Sequence, residues 1–155
     1  MIYRILIIDD EVVVTDWLYQ LLNESFKDRV EVYRCNSGAQ ALGLLSKASF
    51  DIVLVDMNMP IINGCRILEE ISRKWPQIKK IVFTAYDQFE YAKKAIESNV
   101  VAYILKNEDD DSILKAVCSA MSKIDVELHN SRLAEKVKDQ MEHAVPVMRK
   151  EFLPV

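Results

Sequence analysis

The segment DIVLVDMNMPIING, residues 51–64, contains four consecutive apolar residues, Ile52–Val55, that end abruptly at Asp56. An apolar run of this length is typical of a strand that is buried on both faces, as in a parallel sheet covered by helices. An aspartate at the end of such a strand either forms a turn or faces a functional site, and the local sequence leaves both interpretations open. The rest of the chain has to distinguish them.

Short apolar runs of the same kind alternate along the chain with longer stretches of helical periodicity. The runs are Tyr3–Ile8, Val30–Cys35, Asp51–Val55, Lys79–Phe83 and Val101–Leu105. The second run is partly polar, as expected for an edge strand. Parallel neighbours need a crossover, and a helix usually supplies it. The alternation therefore predicts an α/β fold with a doubly wound parallel sheet and right-handed connections.

Composition limits the classes of function. The 155 residues, half of them hydrophobic, suit one globular domain with an appendage, and the net charge of −4 gives no basic surface for nucleic acid. Three cysteines (Cys35, Cys65 and Cys118) lack metal-binding spacing and fit a reducing compartment. We find neither a signal peptide nor a membrane span, so we expect a cytoplasmic protein.

Polar residues follow four of the predicted strands where each strand ends. They are Asp9, Asp10, Asp56, Thr84 and Lys106. Because the carboxyl ends of parallel strands share one edge of the sheet, we expect these side chains to converge. Three carboxylates around one pocket repel each other unless a cation neutralises them, and oxygen ligands suit Mg²⁺ better than zinc.

This set of groups predicts phosphoryl-transfer chemistry. Beside Mg²⁺, Asp56 can act as a nucleophile toward a phosphoryl group, while Lys106 and Thr84 stabilise the charge on its oxygens. Taken singly, each residue has an ordinary interpretation: Asp10 as a helix cap, Asp56 as a turn residue, Thr84 and Lys106 as loop residues. Only the joint pattern favours a site.

Several motifs resemble the receiver domain of two-component response regulators. They are Ile5-Leu6-Ile7-Ile8-Asp9-Asp10-Glu11, Asp56-Met57-Asn58-Met59-Pro60, Gly64, Thr84-Ala85 and Tyr103-Ile104-Leu105-Lys106. The resemblance implies a flavodoxin-like (βα)5 fold with strand order 2-1-3-4-5 and an extended C-terminal helix. It covers a receiver domain over residues 1–125, followed by a helical linker or coiled coil over residues 126–155.

The resemblance also implies roles for individual residues. Asp56 would accept phosphate from a histidine kinase. The metal ligands would be Asp9, Asp10, Asp56 and the backbone carbonyl of Asn58, with Mg²⁺ as the cofactor. Such a domain catalyses only its own phosphotransfer and dephosphorylation, and it is not otherwise an enzyme.

A second group of residues is implied to read the phosphate. Lys106 would pair with it, Thr84 would donate a hydrogen bond to it, and Tyr103 would turn inward as the switch aromatic. The switch would change the surface of the fourth helix, fifth strand and fifth helix. One departure is Asn107, which stands where the family usually has a proline after a cis bond, so the Lys106–Asn107 bond is either trans or strained.

The segment Thr84–Ala92 resembles more narrowly the receivers of AraC-type transcriptional regulators, in which a helix-turn-helix domain follows. We expect that output domain to be absent from this chain, so that the protein contacts DNA only through such a domain. We expect no membrane partner.

Beyond the receiver, an apolar stripe continues along the last predicted helix. It comprises Val117, Ala120, Ile124, Leu128, Leu133, Val137, Met141, Val145 and Met148. A helix that outruns its domain with such a stripe needs a partner. We expect a homodimer, through this helix or through the switch surface; the alternative is a helix folded back on its own receiver.

Two other functions remain open. An aspartate-nucleophile phosphatase would carry its general acid two residues after the nucleophile, where this chain has Asn58, and that difference argues against hydrolytic turnover. A receiver fold that works as an interaction module without phosphorylation is the other alternative, because the Lys106–Asn107 departure leaves the position of Lys106 uncertain.

Overall fold

The computed structural model describes the backbone of residues 1–85 and 87–152 and the side chains of residues 1–85 and 87–141. Five parallel strands form one sheet in the order β2-β1-β3-β4-β5, which confirms the predicted fold. The elements, in chain order, are β1 (Tyr3–Ile8), α1 (Val12–Phe26), β2 (Val30–Cys35), α2 (Gly38–Lys47), β3 (Ile52–Val55), α3 (Gly64–Lys74), β4 (Lys79–Thr84), α4 (Phe89–Glu97), β5 (Ala102–Leu105) and α5 (Asp110–Phe152).

The central strand is the apolar run that precedes Asp56. All four residues of β3, Ile52–Val55, are buried, and the strand pairs with β1 on one side and β4 on the other. A strand that is covered on both faces favours apolar residues at every position, which is why the alternating pattern of a half-exposed strand is missing here. The partly polar β2 lies at the edge, where Glu31 is exposed.

Local chemistry sets several helix boundaries. Ser37 caps α2 by accepting a hydrogen bond from the Gln40 backbone N–H, and Asn63 caps α3 in the same way. Asn99, after α4, has a φ of 54°, a left-handed conformation that asparagine tolerates after the end of a helix. No helix in the described part of the chain is long and apolar enough to span a membrane.

Residues 1–121 and 122–155 form two separate compact units. In the first, the start of α5 buries Ile113, Val117 and Ala120 in the core. In the second, Ile124 is buried, whereas the described large apolar side chains further along are exposed: Val126, Leu128, Leu133, Val137 and Met141. The side chains of Val145 and Met148 lie outside the described residues.

Candidate functional site

Strand register brings the predicted residues to one edge of the sheet. Ile8 pairs with Val55, so the residues that follow them, Asp9 and Asp56, are neighbours. The Asp56 backbone N–H donates to the Ile8 carbonyl at 2.9 Å. The ends of β4 and β5 are matched in the same way, since Thr84 pairs with Leu105 and the next residue, Lys106, donates its backbone N–H to the Thr84 carbonyl.

The three predicted acidic ligands form one cluster. Carboxylate oxygens of Asp9, Asp10 and Asp56 all lie within 4.8 Å of one another. Asp9 and Asp56 are buried, whereas Asp10 is exposed. Each buried carboxylate also accepts a hydrogen bond from the backbone N–H two residues further on, at 2.9 Å from Glu11 and at 3.3 Å from Asn58. These bonds fix the carboxylates where the loops leave the sheet.

Lys106 is the cation of this cluster. Its Nζ lies 2.7 Å from Asp9 Oδ2, as an ion pair without hydrogen-bond geometry, and 3.5 Å from Asp56 Oδ2. The Glu11 carboxylate is 3.7 Å away. Burial lowers the pKa of Lys106, but the contact with Asp9 and the charges of Asp56 and Glu11 outweigh it, and the pKa is raised. Lys106 is therefore held as an ammonium.

The acids outnumber their cation. Burial raises the pKa of Asp9 to about 6, and the charge of Asp56 adds to the rise against the opposing effect of Lys106. The remaining uncompensated carboxylate charge, carried only by oxygen donors, is the environment that a hard divalent cation requires. Asp9, Asp10 and Asp56 thus fit Mg²⁺.

The Lys106–Asn107 bond is trans, as are all peptide bonds of the described residues. The uncertainty that the missing proline raised is therefore resolved without a strained cis bond. In this trans geometry the Lys106 ammonium still reaches both Asp9 and Asp56. Proline is not needed to bring this lysine to the acids.

The remaining predicted residues lie around the same edge. Thr84 is fully buried at the end of β4, and Tyr103 is partly buried in β5, where it packs against the core. Asn58 is exposed, and its side-chain oxygen accepts a hydrogen bond from the Tyr91 hydroxyl at 3.2 Å. No role was predicted for Tyr91, although it lies in the segment that resembles AraC-type receivers.

Gly64 holds the loop that carries Asp56. A Cβ atom on Gly64 would lie 2.4 Å from the Asp56 carbonyl oxygen and 2.7 Å from Met57 Cα, distances at which atoms overlap. The Gly64 N–H donates to the Met57 carbonyl at 3.2 Å. The motif suggested that this glycine mattered, but only the structure shows that α3 begins against the backbone of the predicted acceptor.

Comparison with known proteins agrees with this geometry. The sequence profile of the response regulator receiver domain matches residues 5–118. An uncharacterized response regulatory protein of Staphylococcus epidermidis is 33% identical over 107 residues, which are 69% of this chain and 42% of that protein. The uncharacterized transcriptional regulatory protein YesN of Bacillus subtilis is 25% identical over 95% of this chain and 39% of its own length.

Among solved structures, the receiver domain of AraT, a response regulator from Geobacillus stearothermophilus, is 30% identical, with a TM-score of 0.73 over 83% of this chain and 99% of that one. The chain spans less than half the length of the curated relatives it matches. The profile match covers most of the folded unit and every acidic residue of the cluster. The chain therefore belongs to the response regulator receiver domain family.

Proposed function

We propose that Asp56 accepts a phosphoryl group from a sensor histidine kinase and that the chain reports this change to a transcriptional output. The observation that carries the proposal is the convergence of three carboxylates and one lysine at the end of the strands. An aspartate that only formed a turn would not need the partly buried Lys106 beside it. This role is carried out inside the cytoplasm, where sensor kinases present their phosphohistidine.

Asp9, Asp10, Asp56 and the backbone carbonyl of Asn58 would hold Mg²⁺. When bound, the metal supplies positive charge that offsets the charge on the phosphoryl oxygens and on the acids. Asp9 is buried with a raised pKa, so neutralisation by a cation also favours its ionised form.

In the transfer step an Asp56 carboxylate oxygen forms a bond to phosphorus while the bond from phosphorus to the donor's imidazole nitrogen breaks. The bonding electrons stay on that nitrogen, so the histidine is regenerated. Lys106 already lies within 3.5 Å of Asp56 Oδ2, close enough to pair with a phosphoryl oxygen there. The Thr84 hydroxyl would donate to another oxygen. Asn58 offers no general acid, which supports signalling rather than hydrolytic turnover.

The added negative charge would then move the side chains of Thr84 and Tyr103. Tyr103 would turn inward as Thr84 moves toward the phosphate, changing the face formed by α4, β5 and α5. Phe89 and Ile96 of α4 are 78% and 77% exposed, which supports this face as a homodimer contact. In this proposal residues 1–125 act as the receiver, and residues 126–155 act as a linker to an output domain that contacts DNA.

Incubation with Mg²⁺ and a small phosphodonor such as acetyl phosphate tests the proposal. Intact mass spectrometry should show one added phosphoryl group in the wild-type chain and none in Asp56→Asn. Removal of Mg²⁺ with a chelator should abolish the adduct, and Lys106→Met should slow its formation. Asp28→Asn, at an exposed acid away from the cluster, is the matched control. An adduct that persists in Asp56→Asn would contradict the assignment, and no adduct with any donor would favour an interaction module.

A further inference from the structure

Lys80 is a buried lysine near the amino-terminal end of β4, at the opposite edge of the sheet from Asp56. The residue is only 5% exposed. Its ammonium donates a hydrogen bond to Ser72 Oγ on α3 at 3.0 Å. Within the described residues, no carboxylate lies within ion-pair distance of this ammonium. The phosphorylation chemistry proposed above does not use Lys80.

A buried ammonium without an opposite charge is costly. It carries three N–H donors, of which Ser72 accepts one, and burial of an unpaired charge is unfavourable in a protein interior. Burial and then the neighbouring charge of Lys79 lower the pKa of Lys80. The surroundings therefore lack the negative charge that would stabilise this side chain as a cation.

A cavity of about 230 Å³ opens beside Lys80, between α3 and the end of α4. Ser72, Lys79, Ser98 and Asn99 are among the polar residues that line it. Glu97 lines it too, but its carboxylate lies 3.5 Å from Lys94 Nζ and is 52% exposed. Hydroxyl, amide and ammonium donors thus surround the cavity, while its carboxylate is directed toward another cation.

We propose that this cavity binds a small oxyanion of the carboxylate or phosphate class, with Lys80 as its ionic partner. The hydroxyl groups of Ser72 and Ser98 and the side-chain amide of Asn99 supply neutral donors. The bound anion supplies the negative charge that is missing around Lys80. Because residues 98 and 99 follow α4 directly, an occupant contacts the end of a helix that belongs to the proposed switch face.

Amide chemical shifts of the full-length chain test this site. Inorganic phosphate and acetate are titrated separately in the absence of Mg²⁺, and we expect saturable shifts of the Ser72, Lys80, Ser98 and Asn99 amides with at least one of them. The arm that binds more tightly identifies the class of oxyanion. Lys80→Met should weaken binding by about tenfold or more, because a charged hydrogen-bond partner is lost. Lys79→Met, the matched neighbour, should retain most of the affinity.

The variants separate loss of anion binding from misfolding and from loss of phosphorylation. Lys80→Met replaces a buried charge by an apolar side chain of similar length and should fold; if it does not, the shift map of the wild-type chain and of Ser72→Ala remains. Asp56→Asn should bind the anion as the wild type does, so failure of phosphorylation leaves this inference standing. Shifts confined to the Asp9, Asp56 and Lys106 edge, equal affinity in Lys80→Met, or no saturable shift with either anion would overturn it.

Discussion

Gly64→Ala is expected to damage both the stability of the chain and the position of Asp56. The new Cβ would lie 2.4 Å from the Asp56 carbonyl oxygen, whereas carbon and oxygen atoms in close contact are about 3.3–3.6 Å apart. The two backbone segments must therefore separate by about 1 Å. Both segments are anchored, one by the sheet and the other by α3, so neither relaxes freely.

Overlap of this kind costs about 1–3 kcal/mol, and contact with backbone atoms places the substitution at the upper end of that range. For a chain of this length, that loss lowers the thermal midpoint by about 6–12 °C. Displacement of Asp56 by about 1 Å should also slow phosphorylation by acetyl phosphate by about 10²-fold, even though every functional side chain is retained. Circular dichroism melting and intact mass measure the two effects.

Gly43→Ala is the matched control. Gly43 lies within α2, and a Cβ atom there meets nothing within 4 Å. Alanine is the better helix former, so this variant should be more stable by about 0.5–1 kcal/mol and should phosphorylate normally. If Gly64→Ala melts and phosphorylates like the wild type, the close approach of α3 to the Asp56 backbone does not constrain the site.

Further predictions concern other parts of the chain. Ile61, in the loop after Asp56, has a φ of 66° and a fully exposed side chain, so Ile61→Gly should stabilise the chain by about 0.5–1 kcal/mol. Ile96→Gly, within α4, should instead destabilise it. Chemical denaturation in which both variants changed the free energy of unfolding in the same direction would contradict this. Mg²⁺ should raise the thermal midpoint of the wild type, and Asp10→Asn should reduce that rise while Asp28→Asn leaves it unchanged. Burial raises the pKa of the Cys35 thiol to about 12, so at pH 8 iodoacetamide should modify the exposed Cys118 and spare Cys35 until the protein unfolds; peptide mapping that found Cys35 modified first would contradict this.

The sheet was predictable because its buried strands appear in the sequence as short runs of apolar residues. Runs such as Ile52–Val55 must be apolar on both faces, and the predicted strand bounds differ from the observed ones by one residue at most. Convergence of the site was predictable for the same reason, since parallel topology sends every carboxyl end to one edge. Both predictions, of the sheet and of the convergent site, required only the apolar runs and their order along the chain.

Contacts that depend on backbone shape were not predictable. The sequence does not show whether a trans Lys106–Asn107 bond allows the Lys106 ammonium to reach Asp9. In the structure this bond is trans, and the ammonium lies beside the Asp9 carboxylate. The approach of Gly64 to the Asp56 carbonyl is likewise a property of the folded loop. Sequence could name these residues, but the structure was needed to measure how closely they meet.

The different surroundings of Asp9 and Asp10 mark where sequence reasoning ends. Within β4 both faces of the strand are covered, so Lys80 is buried as its neighbours Ile81 and Val82 are. This rule stops where the strand stops. Asp9 and Asp10 lie just beyond β1, and the turn into α1 buries one and exposes the other. At the carboxyl ends of the strands, the sequence therefore predicts which residues form the site. It does not predict how their side chains are oriented.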